Sequence, residues 1–127
     1  MRRTPAQALV EFALAISLFM LLVLGTFDLA RAHLAYTVLT NSAREASRYA
    51  AAHVGEPNWQ AASVQAGRNL AVGVDPARHT LTVATSAGSP GYITVDGAYD
   101  FQSVTPFVGA LLGNPINMQV HTSALAG

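Results

Sequence analysis

The stretch AQALVEFALAISLFMLLVLGTF, residues 6–27, decides the fold. From residue 8 to residue 27 it is apolar apart from one charge, Glu11. As a helix rising 1.5 Å per residue, such a run is about 30 Å long, the thickness of a bilayer's hydrocarbon core. An ionised side chain in a membrane segment costs about 2.5–3.5 kcal/mol at the centre and less toward an end, and it marks a functional candidate by default. Glu11 lies near the head of the run and is that candidate. Arg2 and Arg3 precede it. Positive charge beside a span stays on the cytoplasmic side, so the rest of the chain is expected outside.

A removable secretory signal shares the basic start and the apolar stretch. Against it, Glu11 interrupts what would be an uncharged core, and the run is longer than the 7–15 residues usual there. No helix breaker or polar cleavage region follows Phe27, because the chain continues as TFDLARAHLAYTVLTNSAREASRYAAAH. The ordinary signal peptide is therefore the lesser reading.

Residues 7–54 are predicted to form one continuous helix. The stretch holds no Pro and a single Gly, Gly25, and it is rich in Ala, Leu and Arg, all strong helix formers. Beyond the apolar run, Leu29, His33, Tyr36, Leu39, Ala43, Ala46 and Ala50 recur at three- or four-residue steps and predict one buried stripe. Arg44, Glu45 and Arg48 fall off it. Gly55 is placed to stop the helix as its C′ residue, and Pro57 hinders resumption. The resulting rod, about 70 Å long, is a stalk as well as an anchor.

Composition agrees with membrane attachment. Of 127 residues, 51% are hydrophobic and 11% charged, against roughly 25% charged in soluble domains. Net charge is zero and there is no Lys, so no nucleic-acid surface is expected. With no Cys, disulfides and thiolate metal sites are excluded.

The remaining segment, 55–127, is near the lower size limit for an independent core, and packing on the outer half of the long helix would supply the missing apolar surface. Glu56, Pro57 and Asn58 read as a helix start, with Trp59, Ala62, Ala66 and Leu70 on one face. Asp75 and Pro76 mark a turn. Leu81 and Val83 alternate with threonines, and Ser89, Pro90 and Gly91 form a second turn. The clearest strand follows, placing Ile93, Val95, Tyr99 and Phe101 on one face and Thr94, Asp96 and Asp100 on the other. Ile116, Met118 and Val120 alternate with Asn117, Gln119 and His121 in a last strand. Between the two strands, Thr105, Pro106 and Phe107 with Val108, Leu111 and Leu112 suggest a short apolar helical cap. The expected fold is α+β: a long N-terminal transmembrane and stalk helix packed on a small antiparallel sheet of about three strands, with a second short helix.

Catalytic chemistry finds no footing. Asp96 and Asp100 share a strand face, but that is the face a strand gives to solvent. His33, His53, His79 and His121 have no metal-ligand spacing, and neither a G-x-S-x-G elbow nor a phosphate-binding Gly-rich loop occurs. No catalytic, cofactor-binding or metal-binding residue is assigned, and the chain is not read as an enzyme.

The segment Ala6-Gln7-Ala8-Leu9-Val10-Glu11-Phe12, the apolar helix after it, and the stretch from Asn41 through Ala43-Arg44-Glu45-Ala46 to Ala50 together resemble the TadE-like family of minor pilins, or pseudopilins, of bacterial tight-adherence pili. Tyr99, Asp100 and Phe101, and then Thr105, Pro106 and Phe107, extend the likeness toward the C-terminus. The resemblance implies a type IV pilin-like fold and class III prepilin processing. A membrane prepilin peptidase would cut after Ala6, where family members usually carry Gly, leaving Gln7 first and Glu11 fifth in the mature chain. It thereby implies a cytoplasmic leader, 1–6, a transmembrane and stalk helix, 7–54, and an extracytoplasmic domain, 55–127. The implied partners are other pilin or pseudopilin subunits, the peptidase, the inner-membrane pilus assembly platform and membrane lipid. The implied location is the bacterial inner membrane, single pass with a cytoplasmic N-terminus, and an extracellular pilus after assembly. The alternative function is a permanently anchored accessory protein that never enters a filament.

Overall fold

In the computed structural model, which describes residues 5–86 and 91–125, the apolar run and the stalk form one unbroken helix, α1, Pro5–His53. Its first described residue is a proline, whose fixed φ is compatible with a helix. It ends as the sequence indicates: Gly55 adopts φ +92°, and the Glu56 N–H donates to the His53 carbonyl at 3.1 Å. A left-handed residue at C′ is what glycine accommodates without steric cost. At 1.5 Å per residue its 49 residues span about 73 Å.

The rest of the chain packs on the second half of this rod. Helix α2, Trp59–Asn69, is followed by a 3-10 turn, Pro76–Arg78, then strands β1, His79–Thr85, and β2, Tyr92–Phe101, helix α3, Pro106–Leu112, and strand β3, Ile116–Leu125. Asp75 opens the 3-10 turn by accepting from the Ala77 N–H at 3.0 Å. The strands form an antiparallel sheet in the order β1-β2-β3. Its register sets Leu81 opposite Gly97 and Asp96 opposite His121. The α+β layout expected from the sequence is the one observed. Arg2, Arg3, Ser89 and Pro90 lie outside the described residues.

Two clusters fill the space between α1 and the sheet. The outer one joins Ala43, Ala46 and Ala50 of α1 to Leu81, Val83, Ile93 and Val95, with Trp59 and Val64 of α2 at its margin. The second, nearer the apolar run, joins Ala35 and Leu39 to Tyr99 and Phe101, with Ala32, Ile116 and Met118 beside them. Apart from Leu39, which lies over Gly97, the helix contributes small residues and the sheet large ones, so the two surfaces approach closely and interdigitate. Strands β2 and β3 alternate as expected, Ile93, Val95, Tyr99 and Phe101 being buried inward.

The structure corrects two faces. Along α1, Leu39, Ala43, Ala46 and Ala50 are buried as expected, but Leu29, His33 and Tyr36 point outward; Asp28, Ala32 and Ala35 take their place. Hydropathy favoured the larger side chains, whereas contact with β2 turns Ala32, Ala35 and Leu39 inward, Leu39 fitting over Gly97. On α2 the inward face runs through Ser63 and Gly67, and Leu70 is exposed beyond the helix end. Gly67 sets that rotation, because a Cβ there would stand 2.6 Å from the Ser42 carbonyl oxygen and 2.8 Å from Leu81 Cδ1.

Candidate functional site

Residues singled out by sequence occupy the first two turns of α1. Ala6 and Gln7 lie in the first turn, and the Gln7 side-chain amide donates to Glu11 Oε1 at 3.2 Å across one helical turn. Around and beyond them Leu9, Phe12, Leu14, Leu18 and Phe27 are each more than 60% exposed. The most apolar 18-residue window of α1 has a mean hydropathy of 2.4 and none of its residues buried against the rest of the chain. By length and composition α1 suffices to cross a membrane once, and its apolar surface is left for lipid or other helices to cover.

One functional-looking residue was not legible in the sequence. Asp28 directly follows the apolar run, yet it is only 3% exposed. Its carboxylate accepts from the Thr105 N–H at 2.7 Å and the Val104 N–H at 3.1 Å. These N–H groups precede α3, whose Thr105 start has no side-chain cap of its own, so a side chain of α1 satisfies donors there. Burial by itself would raise the Asp28 pKa, but the Thr105 and Val104 N–H groups, aided by the Arg31 guanidinium, outweigh it and hold the carboxyl below its ordinary value. Arg31 Nη1 stands 3.4 Å from Asp28 Oδ1, and its guanidinium lies over the Phe101 ring, 5.5 Å from the centroid. In the nearby sequence Asp28 has Arg31, one turn on, as its charged partner, and the return of the β2–α3 connection supplies the N–H groups that fix its carboxylate.

The histidines and the strand carboxylates resolve into local pairs. His79 is buried, with Nε2 3.1 Å from Ser42 Oγ. Since the Ser42 hydroxyl donates its hydrogen to the Leu39 carbonyl at 2.9 Å, its oxygen accepts from His79, which places the ring proton on Nε2. Burial, and secondarily the charge of Arg68, lower the His79 pKa. His53 stacks on Tyr49 with ring centroids 4.0 Å apart. On the solvent face of the sheet, Asp96 meets His121 at 2.5 Å, and Asp100 accepts from Asn117 at 2.7 Å. Thr80, Thr82 and Gln119 flank the Asp96 pair in an open groove. Among the described residues, no three His, Asp or Glu side chains converge to hold a metal ion.

No curated protein and no solved structure matches the chain. The family model of TadE-like proteins does match, over residues 6–48. The matched stretch contains the apolar run, Glu11, Asp28 and most of the stalk, and ends before Tyr99–Phe101 and Thr105–Phe107. Over residues 6–48, about a third of its length, the chain is similar to the TadE-like family its sequence resembles, and that stretch lies within an N-terminal helix long and apolar enough to cross a membrane.

Proposed function

We propose that this chain is a minor pilin or pseudopilin subunit of a tight-adherence pilus, held in the bacterial inner membrane by α1 and contributing its C-terminal domain to pilus assembly, adhesion or secretion. The observation that carries the reading is the division of α1: one face of its second half is buried by its own domain, while its first half, where the TadE-like match begins, presents an exposed apolar surface. Such a surface persists in water only if something covers it, and lipid before assembly followed by neighbouring pilin helices afterward would do so.

In this reading the peptidase cuts between Ala6 and Gln7, leaving the domain outside and the leader, 1–6, inside. Glu11 then lies one turn, about 6 Å in axial rise, from the new terminal amine. It pairs with the amine of a neighbouring subunit, which offsets the cost of placing both charges in a low-dielectric setting. The assembly platform is a transient partner, met before the subunit joins other pilins.

Mass spectrometry of the membrane-isolated protein tests the proposal. Its N-terminus is expected at Gln7, in part as the cyclised form, in cells that hold the matching peptidase, and upstream of it in cells that lack the peptidase. An identical terminus in both would remove processing and leave a permanently anchored accessory protein; a terminus near residue 30 would restore an ordinary signal peptide.

A further inference from the structure

Strand β2 runs toward the apolar half of α1. Ile93 and Val95 pack beside Ala43, Ala46 and Ala50, and then Tyr99 and Phe101 pack beside Ala35 and Leu39. The chain next reaches Asp28, where the Val104 and Thr105 N–H groups bind. Strand β3 begins opposite Phe101, at Ile116. The β2–β3 connection, with α3 in it, is therefore the end of the domain nearest the apolar run. Asp28 is the first residue beyond that run.

The surface found there is unlike the rest of the domain. Val104, Phe107, Leu111 and Leu112 are 70%, 54%, 71% and 66% exposed. From residue 101 to residue 120 the sequence has no charged side chain and no His. Exposed Phe, Val and Leu without charge are unfavourable against water and suited to the boundary between headgroups and acyl chains. Arg31, about one turn farther from the run and half exposed, stands where an anionic headgroup would meet it.

We propose that the β2–β3 connection, through Val104, Phe107, Leu111 and Leu112, seats on the outer lipid surface of the bilayer that α1 crosses. The domain then has a second membrane contact and cannot swing freely about its stalk. This rests on α1 being the anchor. Lipid is the occupant because the patch continues the apolar surface of α1 at the level where that surface ends.

The chain has no Cys, so Leu18→Cys, Gln60→Cys and Leu111→Cys each provide one site for a nitroxide label. The full-length variants are placed in phosphatidylethanolamine–phosphatidylglycerol nanodiscs at one chain per disc, and spin relaxation by oxygen, which prefers lipid, is compared with relaxation by a water-soluble nickel chelate. Leu111 is exposed, so its replacement leaves the core intact. Expected are oxygen-dominated relaxation at Leu18, nickel-dominated relaxation at Gln60, and oxygen-dominated relaxation at Leu111 at a shallower depth, within about 10 Å of the headgroup boundary. Nickel-dominated relaxation at Leu111 with Leu18 still in lipid would overturn the proposal and leave the anchor standing. Nickel-dominated relaxation at Leu18 would overturn the anchor and this contact together. Were Leu111 shielded from nickel only at several chains per disc, a second copy would be the occupant and the lipid contact would be refuted.

Discussion

Replacing Asp28 by Ala should release the β2–α3 connection from the stalk. The substitution removes both acceptors of the Val104 and Thr105 N–H groups, bonds of 3.1 and 2.7 Å to a buried carboxylate. A hydrogen bond to a charged partner contributes about 1.5–3 kcal/mol, so two contribute about 3–6 kcal/mol gross. Part of this is offset because the variant no longer buries a carboxylate, leaving a net loss of about 2–4 kcal/mol. At about 1.4 kcal/mol per factor of ten, the opening equilibrium of the connection rises roughly 30- to 700-fold. Hydrogen exchange of the full-length protein in nanodiscs, followed in peptides covering residues 102–115, reads this as lost protection at Val104 and Thr105. Asp28→Asn retains the shape and one acceptor oxygen without the charge, and should fall between the two. The charge also fixes a pH limb: the folded carboxyl lies below its ordinary value of 3.8, so its contribution is complete above that value and is lost as pH falls through the lower folded one. Asp28→Ala lacks the limb. Protection in Asp28→Ala within twofold of the parent would show that the carboxylate does not hold the connection.

Gly67→Ala places a Cβ 2.6 Å from a backbone oxygen of α1. It should cost about 1–3 kcal/mol despite alanine's better helix propensity, seen as a lower melting temperature by fluorescence of Trp59, the only tryptophan; an unchanged or higher value would refute the close packing of α2 on α1. For His79, whose folded pKa lies below 6.5, the unfolded chain takes up a proton first, so domain stability should rise with pH up to and through that value and decline below it. His79→Leu should flatten this slope between pH 8 and 5.5, and an identical slope would rule His79 out as its source. Glu11→Ala should leave insertion and processing intact while lowering co-purification with partner pilins and pilus number at matched levels of processed protein; wild-type values for both would eliminate the pairing of Glu11 with a terminal amine, a group of ordinary pKa near 7.7–8.0.

Local sequence was enough for the elements of this protein. An uncharged run the length of a bilayer, a long stretch without Pro, a glycine at the helix end and period-two alternation in β2 and β3 each rest on contacts between residues close in the chain, so α1, the strands and the α+β class could be read directly. The apolar run and Glu11 stand out for the same reason. Which side of each helix faces inward was a different question. Leu29 and Tyr36 looked like core by hydropathy and were displaced by Asp28, Ala32 and Ala35, because the rotation of α1 is set by how it packs on a strand far along the chain, with Ala32, Ala35 and Leu39 turned toward it. Gly67 on α2 and His79 beneath Ser42 acquired their roles in the same way. Asp28 depended most on tertiary structure: its partners are N–H groups 76 and 77 residues along the chain, and backbone donors leave no mark in the identity of the residues that carry them.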